Sequence, residues 1–208
     1  KERLLLPGEL AKVVWVTSDA TKHAVAAIDW THGVVAREDF GDLLRTLIEA
    51  WSRLALGEEV DAIHIGEMLS YVGFAVERGP DWEGAVVMYG GDNKIVKSWV
   101  TKRSPKTKVG RLLVRVLNAA EARYRFRTVG AWLRTYHNIH ADWASRVEDD
   151  ELDKAIGSRG WTRIRLGELF ETAVKDTERF GAPTFIAWGA EDRELALQLR
   201  ELGAKRSI

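Results

Sequence analysis

The sequence predicts an α/β fold in which three antiparallel strands come first and helices then alternate with single strands. Three observations carry this. Three short β-branched or apolar runs stand near the N-terminus, separated by tight polar turns. The apolar spacing then changes to that of a helix. Two later apolar runs of strand length each stand between helical stretches.

Residues 12–17, Lys-Val-Val-Trp-Val-Thr, form the first run and end in Ser18-Asp19. Residues 23–30 and 33–37 are the second and third, with Thr31-His32-Gly33 as the turn between them. Leu43, Leu44, Leu47, Ile48, Trp51 and Leu54 then recur at helical spacing over residues 42–56. Ile65, Met68, Leu69, Val72 and Val76 mark a further helix, closed by Gly79-Pro80. Residues 85–89 are an apolar strand ending in Gly90-Gly91-Asp92, and residues 94–101 read as a short helix. The polar loop 102–108 leads into a helix with Val109, Leu112, Leu113, Val116, Leu117 and Ala120 on one face. Residues 129–133 are the fifth strand, and 141–146 open a helix. The acidic stretch 148–151 reads as a boundary, giving a main domain at 1–146 and a small C-terminal α/β extension at 147–208. The extension reads as strand 161–165, helix 167–179, strand 184–188 and helix 191–202.

Composition narrows the class. With 46% hydrophobic residues and nine Trp, the chain has ample material for a packed core, which argues against disorder. It has no Cys, so disulfides and thiolate metal sites are excluded and any metal must be held by oxygen or imidazole. No apolar run approaches the roughly 18 residues of a membrane span, and no basic-then-apolar leader opens the chain, so no membrane partner is expected. The start at Lys1 without Met suggests a piece of a larger, intracellular polypeptide. Net charge is zero, yet ten basic residues and a single acid, Glu121, fall between Lys97 and Arg127. Such a strip can bind phosphate even on a neutral chain.

Four acids stand out by position. Asp19 follows the first strand and Asp92 the fourth, so if those strands are parallel neighbours both carboxylates emerge at one sheet edge. Glu67 lies early in a helix crossing the sheet, and Asp142 at the start of the helix after the fifth strand. Gathered together, four carboxylates would repel and raise one another's pKa unless cations neutralise them. Mg²⁺, which prefers carboxylate-and-water shells, is the natural counterion. Two ions about 4 Å apart can activate a water and stabilise the leaving oxygen of a phosphodiester. Taken singly, each acid also reads as a turn former, a helix cap or a solvated residue.

Local wording sharpens the choice. Thr17-Ser18-Asp19-Ala20-Thr21, Ile63-His64-Ile65-Gly66-Glu67-Met68-Leu69, Gly91-Asp92-Asn93 with Val96 and Trp99, and Asn138-Ile139-His140-Ala141-Asp142-Trp143-Ala144-Ser145-Arg146 occur in this order. These four segments resemble the ribonuclease H domain of retroelement reverse transcriptases, the last most specifically. The resemblance covers about residues 12–146. It implies a ribonuclease H-like mixed five-stranded sheet, three strands antiparallel and two parallel, flanked by helices. It further implies two Mg²⁺ or Mn²⁺ ions held by Asp19, Glu67, Asp92 and Asp142. The expected activity is metal-dependent endonucleolytic cleavage of the RNA strand of an RNA–DNA hybrid, with a reverse transcriptase domain of the same polyprotein as partner. The helix at 42–56 departs from the family as an insertion. The loop before the last segment is short, which leaves His137 nearest the position of a product-release histidine; it also reads as a polar loop residue.

The basic stretch Lys102, Arg103, Lys106 and Lys108, continued by Arg111, matches by position a protrusion with which some family members grip DNA. It equally reads as a solvated loop. Asn93 and Asn138 are the polar residues nearest to reading the 2′-hydroxyls that distinguish a hybrid. His137, His140 and Asp142 offer an alternative zinc site. Two other functions remain open: a module of this fold that binds nucleic acid or protein without cutting, and a nuclease of this fold acting on DNA.

Overall fold

A computed structural model describes residues 12–39, 62–167 and Glu171 of the chain. The expected helix at 42–56 and most of the expected elements after residue 167 lie outside these residues. Three strands come first: β1 (Lys12–Ala20), β2 (Ala24–Asp29) and β3 (Val34–Asp39). Helix α1 (Ala62–Arg78) and a 3-10 turn (Gly79–Trp82) lead to β4 (Ala85–Gly91). Helices α2 (Lys94–Lys102) and α3 (Lys108–Tyr124) precede β5 (Arg127–Trp132). A short 3-10 turn, Thr135–His137, then opens into α4 (Ile139–Arg146), α5 (Asp149–Ser158) and β6 (Thr162–Ile164).

The sheet order is β5-β4-β1-β2-β3-β6. Strands β1, β2 and β3 run antiparallel, whereas β4 is parallel to β1 and β5 to β4. This is the ribonuclease H-like mixed sheet expected from the sequence, with helices on both faces. One strand was not foreseen in the sheet. Residues 162–164, read above as part of an extension, pair in parallel with Val34–Ala36 of β3 and make a sixth strand.

Alternation along β2 shows how one strand serves two cores. Val25 and Ala27 face a large cluster with Leu69, Val72, Leu113 and Leu117 of α1 and α3. Ala26 and Ile28 face a smaller cluster with Ala141 and Ala144 of α4 and Leu152 and Ile156 of α5. Past Arg146 the chain runs through the acidic stretch 148–151 into a helix packed on the same sheet. Asp149, Asp150 and Glu151 form the first turn of α5, where the helix dipole favours negative charge. Leu152 and Ile156, four residues apart, seat that helix on the sheet. Asp149 also accepts from Arg37 of β3 and Arg163 of β6, each at 2.7 Å, stitching helix to sheet edge.

The turns follow local chemistry. Thr21 Oγ1 accepts from the backbone N–H of His23 and Ala24, closing the β1–β2 turn. At the β2–β3 turn, Asp29 accepts from the N–H groups of Thr31 and His32, both at 3.0 Å. Gly33 completes that turn at φ +63°, and any Cβ there would lie 2.8 Å from the Trp161 ring, so glycine is required twice over.

Asp29 has no solvent exposure. Its carboxylate also accepts from Trp82 Nε1 at 2.9 Å, sits 2.7 Å from His32 Nδ1 and faces Arg78 at 3.5 Å. One buried charge thus ties the β2–β3 turn to the end of α1 and the 3-10 turn behind it. Asp29→Ala would strand these donors, and the expected loss is about 3–5 kcal/mol of unfolding free energy, read by urea denaturation. Leu117→Ala, a cavity mutation in the larger core, should cost about 2–5 kcal/mol in the same assay.

Candidate active site

Parallel pairing sets the geometry. The β1–β4 register runs from Lys12 opposite Ala85 to Thr17 opposite Gly90. Continued by two residues, it sets Asp19 beside Asp92, one at the end of β1 and one just past β4. Asp19 is 5% exposed, while Asp92 is half-buried.

Helix α4 closes the site from the second face. Asn138, only 2% exposed, donates from Nδ2 to the Ser18 carbonyl at 3.1 Å and pins the start of the helix to β1. Ser145 Oγ lies 2.9 Å from Asp19 Oδ2 and 2.8 Å from the Asp142 carbonyl, so its one proton is shared between them. Asp142, in the first turn of α4, pairs through Oδ1 with Arg146 Nε at 2.8 Å and Nη2 at 2.7 Å.

Glu67, 6% exposed on α1, accepts from Asn93 Nδ2 at 3.2 Å. Asn93 at the same time caps α2, its Oδ1 accepting from Ile95 N at 2.9 Å and Val96 N at 3.3 Å. The buried Tyr89 hydroxyl, 3.2 Å from Ser18 Oγ, is shielded from ionising first by burial and then by the negative charge of Glu67, Asp19 and Asp92. One hydroxyl thus feels three of the four acids.

Asp19 records the crowding. Its pKa is raised from the usual 3.8 to about 6, first by burial and then by the charges of Asp92 and Asp142. The Ser145 hydrogen bond and the Arg146 charge act the other way and fall short of cancelling it. The donor set is all oxygen and short of cations, which suits a hard divalent ion such as Mg²⁺ or Mn²⁺. It is not drawn together, however. Among the described residues no three His, Asp or Glu side chains stand ready to share a metal ion.

The remaining sequence candidates divide by environment. His137 sits in the exposed turn before Asn138 with its ring edge-on to Tyr136 at 4.2 Å. His140 packs edge-on against Trp30 at 5.2 Å, and the zinc grouping with His137 and Asp142 is not assembled. Arg103, left-handed at φ 55°, turns its guanidinium inward to Glu121 at 2.6 Å and the Thr128 carbonyl at 3.3 Å. Lys102, Lys106 and Arg111 are exposed, Arg111 bonding the Lys106 carbonyl, and Lys108 opens α3. Asn93 is engaged through both side-chain atoms, whereas Asn138 donates from Nδ2 to Ser18 while its buried Oδ1 has no partner among the described residues. Sequence reasoning gave no role to Ser145, Arg146 or Trp132. The first two lie three and four residues after Asp142 on one helix, a spacing that puts them on its face. Trp132 donates from Nε1 to the Asp92 carbonyl at 3.0 Å and carries the Lys94 ammonium over its ring at 4.7 Å, contacts across elements that no local pattern signals.

The raised Asp19 value fixes the sign of a pH effect in the metal-free protein. The fold favours the protonated acid, so this contribution is full below about pH 4 and is lost as pH rises through 6. Asp19→Asn keeps an acceptor for Ser145 and removes the charge. With a chelator present it should stabilise the fold at pH 7 by about 2–3 kcal/mol and flatten the dependence between pH 4 and 6, both read by urea unfolding across pH.

No family model and no curated protein matches this sequence. Among solved structures the chain is similar to RNase H1 from the halophilic archaeon Halobacterium salinarum NRC-1, at 13% identity and a TM-score of 0.46, over 68% of this chain and 98% of that one. It is also similar to the N-terminal RNase H domain of rv2228c from Mycobacterium tuberculosis, solved as a fusion with maltose-binding protein, at 17% identity and a TM-score of 0.41, over 72% and 99%. The ribonuclease H-like arrangement of the chain is carried by its own sheet: three antiparallel strands, two parallel ones beside the first, and helices on both faces.

Proposed function

We propose that this chain is a metal-dependent endoribonuclease that cuts the RNA strand of RNA–DNA hybrids and works alongside a reverse transcriptase domain of a retroelement polyprotein. The observation that supports it most is the parallel β1–β4 pair, which sets Asp19 beside Asp92 under the helix that carries Asp142.

In this reading Asp19, Glu67, Asp92 and Asp142 hold two Mg²⁺ or Mn²⁺ ions. Bound there, the ions supply a water acidic enough to attack and positive charge for the leaving oxygen. The chain's own residues position the carboxylates one by one. Ser145 orients the Asp19 carboxylate, Asn93 orients Glu67 while capping α2, and Asn138 fixes the start of α4. Arg146 neutralises Asp142 until a divalent cation competes for it. Lys102, Lys106 and Arg111, exposed in and after the loop between α2 and α3, would meet backbone phosphates. His137, at the exposed turn before α4, would assist product release.

The Asp142–Arg146 pair, together with acids not drawn into one group, favours a second reading: a module of this fold that binds nucleic acid or a partner without cutting. Cleavage of a labelled hybrid with Mg²⁺ or Mn²⁺ separates the two, and duplex RNA and duplex DNA as substrates separate both from a DNA-acting nuclease. Asp92→Asn should abolish hybrid cleavage while the circular dichroism spectrum and melting temperature stay near wild type; retained Mg²⁺-dependent cutting sinks the assigned site. Ser145→Ala should reduce cleavage roughly 10- to 100-fold without that total loss, read as a rate under single-turnover conditions.

A further inference from the structure

A cavity of about 330 Å³ opens on the second face of the sheet, between α4, α5 and the β2–β3 turn. Nothing in the cleavage reading uses it. We propose that it is a single-nucleotide pocket, taking an unpaired nucleobase between its aromatic walls with the attached phosphate on Arg159. The proposal rests on the nuclease reading for its substrate, but its chemistry stands on the pocket alone.

The walls are aromatic and set square to one another. The Trp30 ring stands at 83° to the His140 ring at 5.2 Å and at 87° to the Trp161 ring at 5.5 Å. Trp143 adds a further indole to the lining and is 38% exposed, and Trp30 is 37% exposed. Large rings are normally covered in a folded domain, and an open box of them offers π-faces for a flat ring to stack on. The floor is apolar: Ile28, Val35, Leu152 and Ile156 belong to the second core cluster. The volume falls at the lower end of ligand sites, about 300–1,000 Å³, which suits one nucleotide better than a larger ligand.

The polar groups choose among flat ligands. Arg159 lines the cavity with its guanidinium 5.9 Å from the Trp161 ring and one N–H on the Ala155 carbonyl at 3.2 Å. The remaining guanidinium donors can meet a phosphate, whereas a quaternary ammonium would be repelled. The indole N–H groups of Trp143 and Trp161 have no acceptor among the described residues and are available to the polar edge of a base. Purely aliphatic occupants would leave all of these unmet.

Helix α4 joins this pocket to the carboxylates. It carries Asp142 toward Asp19, and His140, Trp143 and Ala144 toward the cavity. A substrate strand that leaves the acids along α4 therefore meets the aromatic box with its next unpaired base. A blunt hybrid supplies no such base; a hybrid with a single-stranded overhang does.

Two measurements on the whole chain test this. Adenosine 5′-monophosphate, titrated alone, should shift the indole N–H resonances of Trp143 and Trp161. Ala155→Phe, which fills the cavity, and Arg159→Ala, at an exposed position, should each weaken that binding at least roughly ten-fold. Fluorescence anisotropy with Asp92→Asn and Mg²⁺ should show an overhanging hybrid binding roughly ten-fold tighter than the blunt one, an advantage lost on adding Arg159→Ala. Were Ala155→Phe to misfold, Arg159→Ala carries the test. Equal binding of blunt and overhanging hybrids, unmoved indole resonances, or a response to choline in place of the nucleotide would overturn the proposal. Cleavage of the blunt hybrid by wild type reads the nuclease separately, so either idea can fail while the other stands.

Discussion

In a parallel pair of strands both chains leave the sheet at the same edge, and the residues that follow them are neighbours whatever the distance between them in sequence. Strands β1 and β4 are such a pair, held in register over six residue pairs from Lys12–Ala85 to Thr17–Gly90. Asp19 and Asp92 become neighbours because of it, and the rest of the candidate site is arranged around that meeting. Had β4 run antiparallel to β1, Asp92 would lie at the opposite edge and no helix could bring it back.

Bringing acids near one another is unfavourable, and neighbouring side chains carry part of that burden. Asp19 bears most of it, its pKa raised to about 6 in a buried position. Asp142 is relieved by Arg146, Glu67 by the amide of Asn93, and Asp19 in part by Ser145. Two of these helpers make a further contact, Asn93 to the start of α2 and Ser145 to the Asp142 carbonyl, so the polar network and the local backbone support each other. Helix α4 has only eight residues, too short to persist alone, and owes its position to Asn138 and Ser145 on one side and the Ala141–Ala144 contact with β2 on the other.

The second face of the sheet has a different character. Helix α5 and strand β6 extend the fold past Arg146, secured by the Arg37–Asp149–Arg163 pairing and by Leu152 and Ile156. They also leave a gap between themselves and α4, and two exposed tryptophans, Trp30 and Trp143, line it. Buried Asp29, at the β2–β3 turn beside this gap, keeps the turn, and with it Trp30, in a defined place.

Much of the architecture was legible in the chain itself, because short-range periodicity encodes it. The strands around Val14, Val25 and Val35, the α1 stripe from Ile65 to Val76 and the α3 stripe from Leu112 to Ala120 all lie where alternation or helical spacing puts them. Motif wording singled out Asp19, Glu67, Asp92 and Asp142 and the elements that carry them. What local pattern could not express was pairing between remote segments. An acidic run that reads as a boundary is the first turn of α5, since the residues it answers, Arg37 and Arg163, stand over a hundred positions away and beyond the helix. Arg103 reads as a phosphate ligand until Glu121 draws it inward, and Asn93 and Asn138 read as substrate contacts until Glu67 and Ser18 engage them. Residue type and spacing thus determined β1 to β5 and α1 to α4, and motif wording the candidate acids, while α5 went unread. Which side chains meet, and which are left facing solvent, was decided only by the folded chain, because hydrogen bonds and charges act over a few ångströms of space and are indifferent to distance along the sequence.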